Sequence, residues 1–305
     1  MASSKTPHVL CAGIGVQDIL VRVPRFPQPG GKVMADGFRI VSGGCAVNAA
    51  IAVARLGGKA SYSGPLGDEK DQVSNQLIGA MQHEGVETSG VVRVNGATAP
   101  VSEIMIDADG ERMIATYRDR RIEVARPTNP DQLVTQATLM LADNRFAEFV
   151  QPVCEAARRA NIRVVLDGDR PTDRKSPLFP LATHIVFSSE CLRETTGTSD
   201  LGEGLRSIAP LTSAFLAVSN GADDILYLKD GRVQRMAVFK LKVVDTLAAG
   251  DVFHAGFALA LAEGKDEFAA MRFGAAAAGL KCTRFGGSDG APRRDEVEAL
   301  LAQQP

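Results

Sequence analysis

Val243-Val-Asp-Thr-Leu-Ala-Ala-Gly-Asp-Val-Phe-His-Ala-Gly-Phe257 is the stretch around which the rest of the chain makes sense. A short β-branched run reaches Asp245, small residues follow, and an Ala- and Leu-rich helical pattern runs from Gly250 to Ala262. Small residues at a helix start let backbone N–H groups approach an anion, and the helix dipole favours negative charge there. Asp251 stands out, because a bound phosphate would repel its carboxylate. It fits if it takes a proton from a hydroxyl attacking that phosphate. It also fits as an N-terminal acid that satisfies the dipole. His254, one turn on, lies on or near the same face. It reads as a packed or water-bonded histidine, with phosphate contact as the alternative.

Upstream, strand-like and helical runs alternate. His8 to Gly15 reads as a buried first strand ending in glycines. Its Gly13-x-Gly15 hints at a dinucleotide fold, but no third glycine precedes a helix. Asp18 is expected at the carboxyl end of a strand, where open α/β sheets bind ligands and a carboxylate can accept from sugar hydroxyls; a turn aspartate is the other reading. A proline-rich connector leads to a strand over 32–41, then Ser42-Gly-Gly44 and a helix over 46–56. Two glycines before a helix allow close backbone approach to a ligand, and Asn48 offers a donor and an acceptor.

A strand over 60–63, a turn over 64–68 and a helix over 72–84 extend the rhythm. Runs over 99–106 and 112–117, joined by Asp107-Ala-Asp-Gly110, then signal a hairpin. Further strands are expected at 138–142, 162–166, 184–187 and 214–219, with a hairpin over 225–238. Two helices, 250–262 and 267–282, are expected to close the chain. The fold class is α/β: a doubly wound, mostly parallel sheet flanked by helices. Residues 1–305 read as one domain, with a small β lid from about 14–40 and 97–118.

The length of 305 residues allows a sizeable core. Apolar residues at 45%, charged residues at 23% and a net charge of −2 suit a soluble globular protein and give no general reason to bind nucleic acid or membrane. Five scattered cysteines without a Cys-x-x-Cys pair read as free thiols. No signal pattern or membrane-length run appears, so a cytoplasmic location is expected.

Two motifs in register carry a resemblance. Gly43-Gly-Cys-Ala-Val-Asn48-Ala-Ala-Ile-Ala-Val-Ala-Arg-Leu-Gly57 looks like the N-terminal signature of the ribokinase-like (PfkB) sugar kinases. Asp245-Thr-Leu-Ala-Ala-Gly-Asp251, about 200 residues on, resembles their C-terminal signature. The resemblance implies that Asp18, Gly44 and Asn48 hold sugar hydroxyls and that Asp251 is the base. N–H groups of Ala249, Gly250 and Asp251 would form the anion hole for the transferring phosphoryl. It also implies ATP and Mg²⁺, and admits a monovalent cation such as K⁺. Thr246, Ser219 and Gly221, with Ala278, Thr283 and Gly286, would line the nucleotide side.

The chain departs from the family pattern twice. Ala248 stands where the family run has glycine, which costs about 1 kcal/mol if that position needs a positive φ. Ser188 and Cys191 stand where an Asn-x-x-Glu is usual, so metal ligands stay unassigned. Several segments look most like the sulfofructose kinase branch, among them Gly31-Lys32, Leu141 to Arg145 and Val165 to Asp169. That likeness implies an anionic ketohexose, with Lys32 and Arg145 as anchors away from Asp251 and Thr116 contributing from the lid. Arg118 to Arg121 reads as a solvated edge. A 2-keto-3-deoxygluconate kinase, ribokinase, fructokinase or non-catalytic binding regulator remain alternatives. A homodimer through the lid sheet is expected.

Overall fold

The computed structural model describes residues 7–304. Its strands are β1 (His8–Ala12), β2 (Val16–Arg22), β3 (Gly37–Gly43), β4 (Lys59–Leu66), β5 (Glu87–Arg93), β6 (Val101–Ile106), β7 (Arg112–Tyr117), β8 (Leu139–Asp143), β9 (Arg163–Gly168), β10 (His184–Ser188), β11 (Phe215–Asn220), β12 (Asp223–Lys229) and β13 (Arg232–Met236). Nine of them form one sheet in the order β13-β12-β11-β10-β9-β8-β1-β4-β5. From β5 to β11 every pairing is parallel, and β12 and β13 add an antiparallel hairpin at the edge. The chain winds from β1 out to β5, then returns to β8 on the other side of β1. That reversal is a topological switch point, the crevice where open α/β sheets bind ligands.

Two apolar clusters cover the two faces of this sheet. One joins the helices Cys45–Arg55, Gln72–His83, Ala249–Ala262, Glu267–Cys282 and Arg294–Gln303; the other joins Ala147–Arg159, Ser189–Thr196 and Leu201–Ile208. The central strands are buried on both sides, which is why they read as nearly continuous apolar runs.

The remaining strands form a separate four-stranded sheet, β3-β2-β6-β7. Its register puts Asp18, Val41, Ser102 and Thr116 in one cross-strand row. One face packs Leu20, Val41, Ile104 and Ile106 toward Leu247 and Phe285.

Several expectations need correction. Asp18 is the third residue of β2 in the small sheet, not the end of a central strand. β3 begins at Gly37, so Lys32 lies in the loop before it and is exposed. The segment read as a turn at 64–66 continues β4, and β5 follows where no strand was expected. The β-branched Val243 and Val244 are exposed loop residues; the N–H groups of Val244 and Asp245 bond the Cys282 carbonyl. A further helix, Arg294–Gln303, closes the described chain after Glu267–Cys282.

Candidate active site

The helix Ala249–Ala262 delivers Asp251 to the switch point in its first turn. Its N-cap, Ala248, has φ 62°, the left-handed region, so the position does need a positive φ. Alanine adopts it at a cost of about 1 kcal/mol relative to glycine. The turn is completed by a bond from the Ala249 N–H to the Thr246 carbonyl (3.2 Å). This corrects the expected anion hole, because that N–H is already engaged. The N–H groups of Gly250 and Asp251 have no backbone acceptor among the described residues and remain for an anion.

A buried ion pair anchors the loop ahead of this turn. Asp245 Oδ1 accepts from the Leu247 N–H (2.8 Å), and Oδ2 accepts from the N–H groups of Gly286 (3.1 Å) and Gly287 (3.3 Å). Lys281, with no exposed surface, donates to the Asp245 carbonyl (2.8 Å) and lies 3.0 Å from Oδ2. Burial works against the Asp245 charge, but the Leu247 N–H and the ammonium outweigh it and hold its pKa below the ordinary value. Neither member of this pair was singled out from sequence, although a lone lysine after the apolar run 275–280 is a visible signal.

The Gly43-Gly44 pair brings the N-terminal motif to the same place. A side chain at Gly43 would strike the Asp18 carboxylate (2.1 Å), and Gly44 caps the helix Cys45–Arg55 with φ 86°. That helix carries Asn48, whose Nδ2 donates to Asp251 Oδ2 (2.6 Å) while its buried Oδ1 has no partner. Burial pushes Asp251 up to about 6, against the Asn48 hydrogen bond and with help from Asp169. Burial, then Asp251, pushes Asp18 up to about 7.

Three more carboxylates come from the ends of β8 and β9. Asp143 is buried and accepts from the N–H groups of Ile14 (2.7 Å) and Arg145 (2.9 Å), tying the end of β8 to the β1–β2 connection. Asp169 accepts from Arg145 Nε (2.8 Å) and, at 3.7 Å, from the Cys45 thiol. Asp167 is buried, and an oxygen of its carboxylate lies within 4.8 Å of both Cys45 Sγ and an Asp251 oxygen. Arg145 therefore sits among the carboxylates near Asp251, not at a remote end of the pocket as expected. Arg118 reaches the same region: its guanidinium covers the Phe146 ring at 5.3 Å, and burial, then Arg170 and Arg145, holds its pKa below the ordinary value. It is not a solvated edge residue.

The other expected residues scatter. Thr116 is exposed and shares a 3.0 Å hydroxyl contact with Ser102. Ser219, on β11, points its hydroxyl toward the Phe187 carbonyl (3.4 Å), and Gly221 turns with φ 61°. Thr246 is exposed in the anion-hole loop. Ala278 and Thr283 lie half-buried along and just past the helix Glu267–Cys282, and Thr283 returns its hydroxyl to the Leu280 carbonyl. Gly286 turns beside Asp245, close to Arg39, which lies over Phe285. His254 is buried between the Gly250 carbonyl at Nδ1 (2.8 Å) and the Val186 carbonyl at Nε2 (3.1 Å), the packed reading rather than a phosphate contact. A cleft of about 380 Å³ lined by His8, Ser61, Glu87 and Gln132 lies toward the amino-terminal ends of the strands and includes none of these residues.

Among the described residues, the positions expected to organise magnesium do not offer ligands for it. Ser188 caps the helix Ser189–Thr196 by accepting the Cys191 N–H (3.1 Å), and the buried Cys191 thiol faces the Arg170 carbonyl. Cys45, Asp167 and Asp251 are close enough to share a cation, but a thiol is a poor donor for a hard ion and burial keeps Cys45 protonated. None of them is assigned to a metal.

Comparison with known proteins gives the family. The family described as pfkB family carbohydrate kinase matches residues 6–294. Ribokinase of Bacillus subtilis (strain 168) is 28% identical over 298 residues, covering 97% of this chain and 99% of that protein. Among solved structures, a ribokinase-like protein of Agrobacterium tumefaciens is 36% identical with TM-score 0.93, covering 98% of both chains. Arabidopsis thaliana ribokinase, solved with ribose and ATP, is 25% identical with TM-score 0.83, covering 97% of this chain and 98% of that one. No described helix is long and apolar enough to cross a membrane. The chain belongs to the PfkB family and is a ribokinase-like carbohydrate kinase, a phosphotransferase acting on an alcohol group.

Proposed function

We propose that this kinase moves the γ-phosphoryl of ATP to a sugar hydroxyl with Asp251 as general base. The observation carrying this reading is Asp251 itself. Its carboxylate is raised to about 6, held by Asn48, and set in the same turn as the free N–H groups of Gly250 and Asp251. The acceptor O–H proton passes to Asp251, the oxygen forms a bond to the γ-phosphorus, and the bond to the β-phosphate oxygen breaks as ADP leaves. The two N–H groups stabilise the negative charge on the transferring group. Asp18 and the orphaned Asn48 Oδ1 accept from sugar hydroxyls. The four-stranded sheet closes over the site and excludes water as a competing acceptor. Mg²⁺ enters on the ATP phosphates, and activation by K⁺ is read by exchanging the monovalent salt.

The acceptor we favour is an anionic ketohexose of the 6-deoxy-6-sulfofructose kind. Arg170 and Arg145 both lie near enough to Arg118 to disfavour its charge, against Glu123 (3.6 Å), while Arg145 pairs with Asp169. Such mutual repulsion is relieved by an anion, while the carboxylates suit hydroxyls. Lys32 is exposed with no side-chain partner among the described residues, so its anchoring role waits on lid closure. Ribose and 2-keto-3-deoxygluconate are the competing acceptors. An ADP-release assay with Mg·ATP decides among fructose, 6-deoxy-6-sulfofructose, fructose 6-phosphate, 2-keto-3-deoxygluconate, ribose and adenosine. A preference for one anionic sugar that Arg145→Ala abolishes supports the reading. Turnover of neutral sugars indifferent to Arg145 refutes the anionic acceptor, and no turnover by any sugar refutes the kinase assignment of the site.

We also propose a homodimer through the small sheet. Phe38, Val21, Met105 and Met113 form a row on its outer face, next to Ile40 and Ile19, and Phe38, Ile40 and Met113 are more than half exposed. Sedimentation of Phe38→Glu against the natural chain tests it; an unchanged mass refutes this face.

A further inference from the structure

We propose that Asp167 acts as a neutral carboxylic acid beside the base, donating a hydrogen bond to a second acceptor oxygen next to the hydroxyl that Asp251 deprotonates. The proposal rests on the reading of Asp251 as base and assigns a specificity-determining role to a residue that reading does not use. Asp167 is the next-to-last residue of β9 with 4% of its surface exposed, and no N–H or O–H donates to its carboxylate among the described residues. A buried ionised carboxylate without a donor is costly, and a second carboxylate close by makes it more so.

The groups around Asp167 come from every side. β8 contributes Asp143, and Arg145 follows it; Asp169 lies two residues on from Asp167 itself. The helix Cys45–Arg55 contributes Cys45, and the helix Ala249–Ala262 contributes Asp251 and His254, whose Nε2 is 3.5 Å from Asp167 Oδ1. His254 offers little counter-charge. Burial is the largest influence on its ring and lowers its pKa, working against the two carbonyls at its nitrogens, which favour the doubly protonated form. Asp251 by contrast receives the Asn48 amide, whereas Arg145 acts on both carboxyls. Of the two carboxyls, Asp251 therefore takes the charge and Asp167 keeps the proton, a division of roles set by environment. An Asp167 oxygen and an Asp251 oxygen lie within 4.8 Å of each other, a span that hydrogen bonds of about 2.7 Å to oxygens on two adjacent carbons of a sugar can bridge. A neutral acid there supplies the donor that the surrounding carboxylates lack.

The test uses infrared difference spectra and steady-state kinetics on the full chain. The protonated-carboxyl C=O band at pH 7.5 is expected in the natural protein and lost in Asp167→Asn. Asp167→Asn and Asp167→Ser, which keep a donor, are expected to retain kcat/KM within about fivefold. Asp167→Ala is expected to lose roughly 30-fold, mainly through KM for the sugar with KM for ATP unchanged. Either variant with a donor suffices if the other does not fold. Absence of the band in the natural protein, or donor variants as impaired as Asp167→Ala, overturns the proposal. Asp251→Asn measured alongside separates the two readings: retained turnover there removes the base while leaving the Asp167 band to be read independently.

Discussion

Lys281 Nζ lies 3.0 Å from Asp245 Oδ2 with no exposed surface, joining the end of the helix Glu267–Cys282 to the loop that leads into the helix carrying Asp251. Such a pair offsets its own desolvation only while both members and their hydrogen bonds are present. Here the Asp245 carboxylate also takes the Leu247, Gly286 and Gly287 N–H groups, so one cation fixes both the anion-hole loop and the 286–287 turn.

Lys281→Met is expected to cost about 3–5 kcal/mol, because it leaves a buried carboxylate uncompensated. Asp245→Asn in the same chain should recover part of that loss. Denaturant unfolding of the two single variants and the double variant measures the coupling. Additive single effects would show that the pair does not act as a unit.

Ala248 tests the strained turn. Its φ of 62° is one that glycine adopts without a Cβ penalty. Ala248→Gly is expected to stabilise by about 0.5–1 kcal/mol, the relief of the left-handed strain exceeding the added freedom of the unfolded chain. Turnover should hold or rise. A loss of stability on thermal unfolding would show that the Ala248 methyl contributes packing that outweighs the strain.

The fold was legible because both signatures are local: glycines, small residues and one acid at fixed spacing set a helix start wherever they occur. Asp251, Asn48 and Gly44 were found that way and do converge, with Asn48 bonded to Asp251. Residues that matter through distant partners were not legible. Lys281 and Asp245 are 36 positions apart, and Asp167 becomes interesting only once β9 sits beside β8 and opposite Asp251. Arg118 read as one charge in a charged run, because nothing local shows that Phe146 and Arg170 lie against it. Asp18 was assigned a role but placed on the wrong strand, since a β-rich run does not say which of two sheets it joins. The valines at 243 and 244 carried β propensity into an exposed loop, where the ties to Cys282 decide the backbone path.

The raised carboxyls predict the pH dependence of the rate. Asp251 and Asp18, pushed up to about 6 and about 7, must both be ionised to accept protons or hydrogen bonds from hydroxyls. kcat/KM should therefore fall as pH drops through 7 to 6, with apparent values belonging to the coupled pair. Asn48→Ala removes the hydrogen bond that lowers Asp251, so its acid limb should move to higher pH while KM for the sugar rises. An unmoved limb in Asn48→Ala would separate the amide from the base.

The same shifts oppose stability at neutral pH. A carboxyl whose pKa rises on folding binds its proton more tightly in the native state, so its ionisation weakens the fold as pH rises from the unfolded value of 3.8 through about 6. Asp251→Asn removes that charge while its side-chain oxygen can still accept from Asn48. The variant should be more stable than the natural chain at pH 8, by up to about 3 kcal/mol for a shift of about two units. The advantage should shrink as pH falls below 6, be small near 4 and vanish only below about 3, where Asp251 is protonated in both states. Paired thermal unfolding across pH 4–8 reads this directly. A constant difference at all pH values would mean that Asp251→Asn acts through packing, and that the carboxylate is not held at a raised pKa.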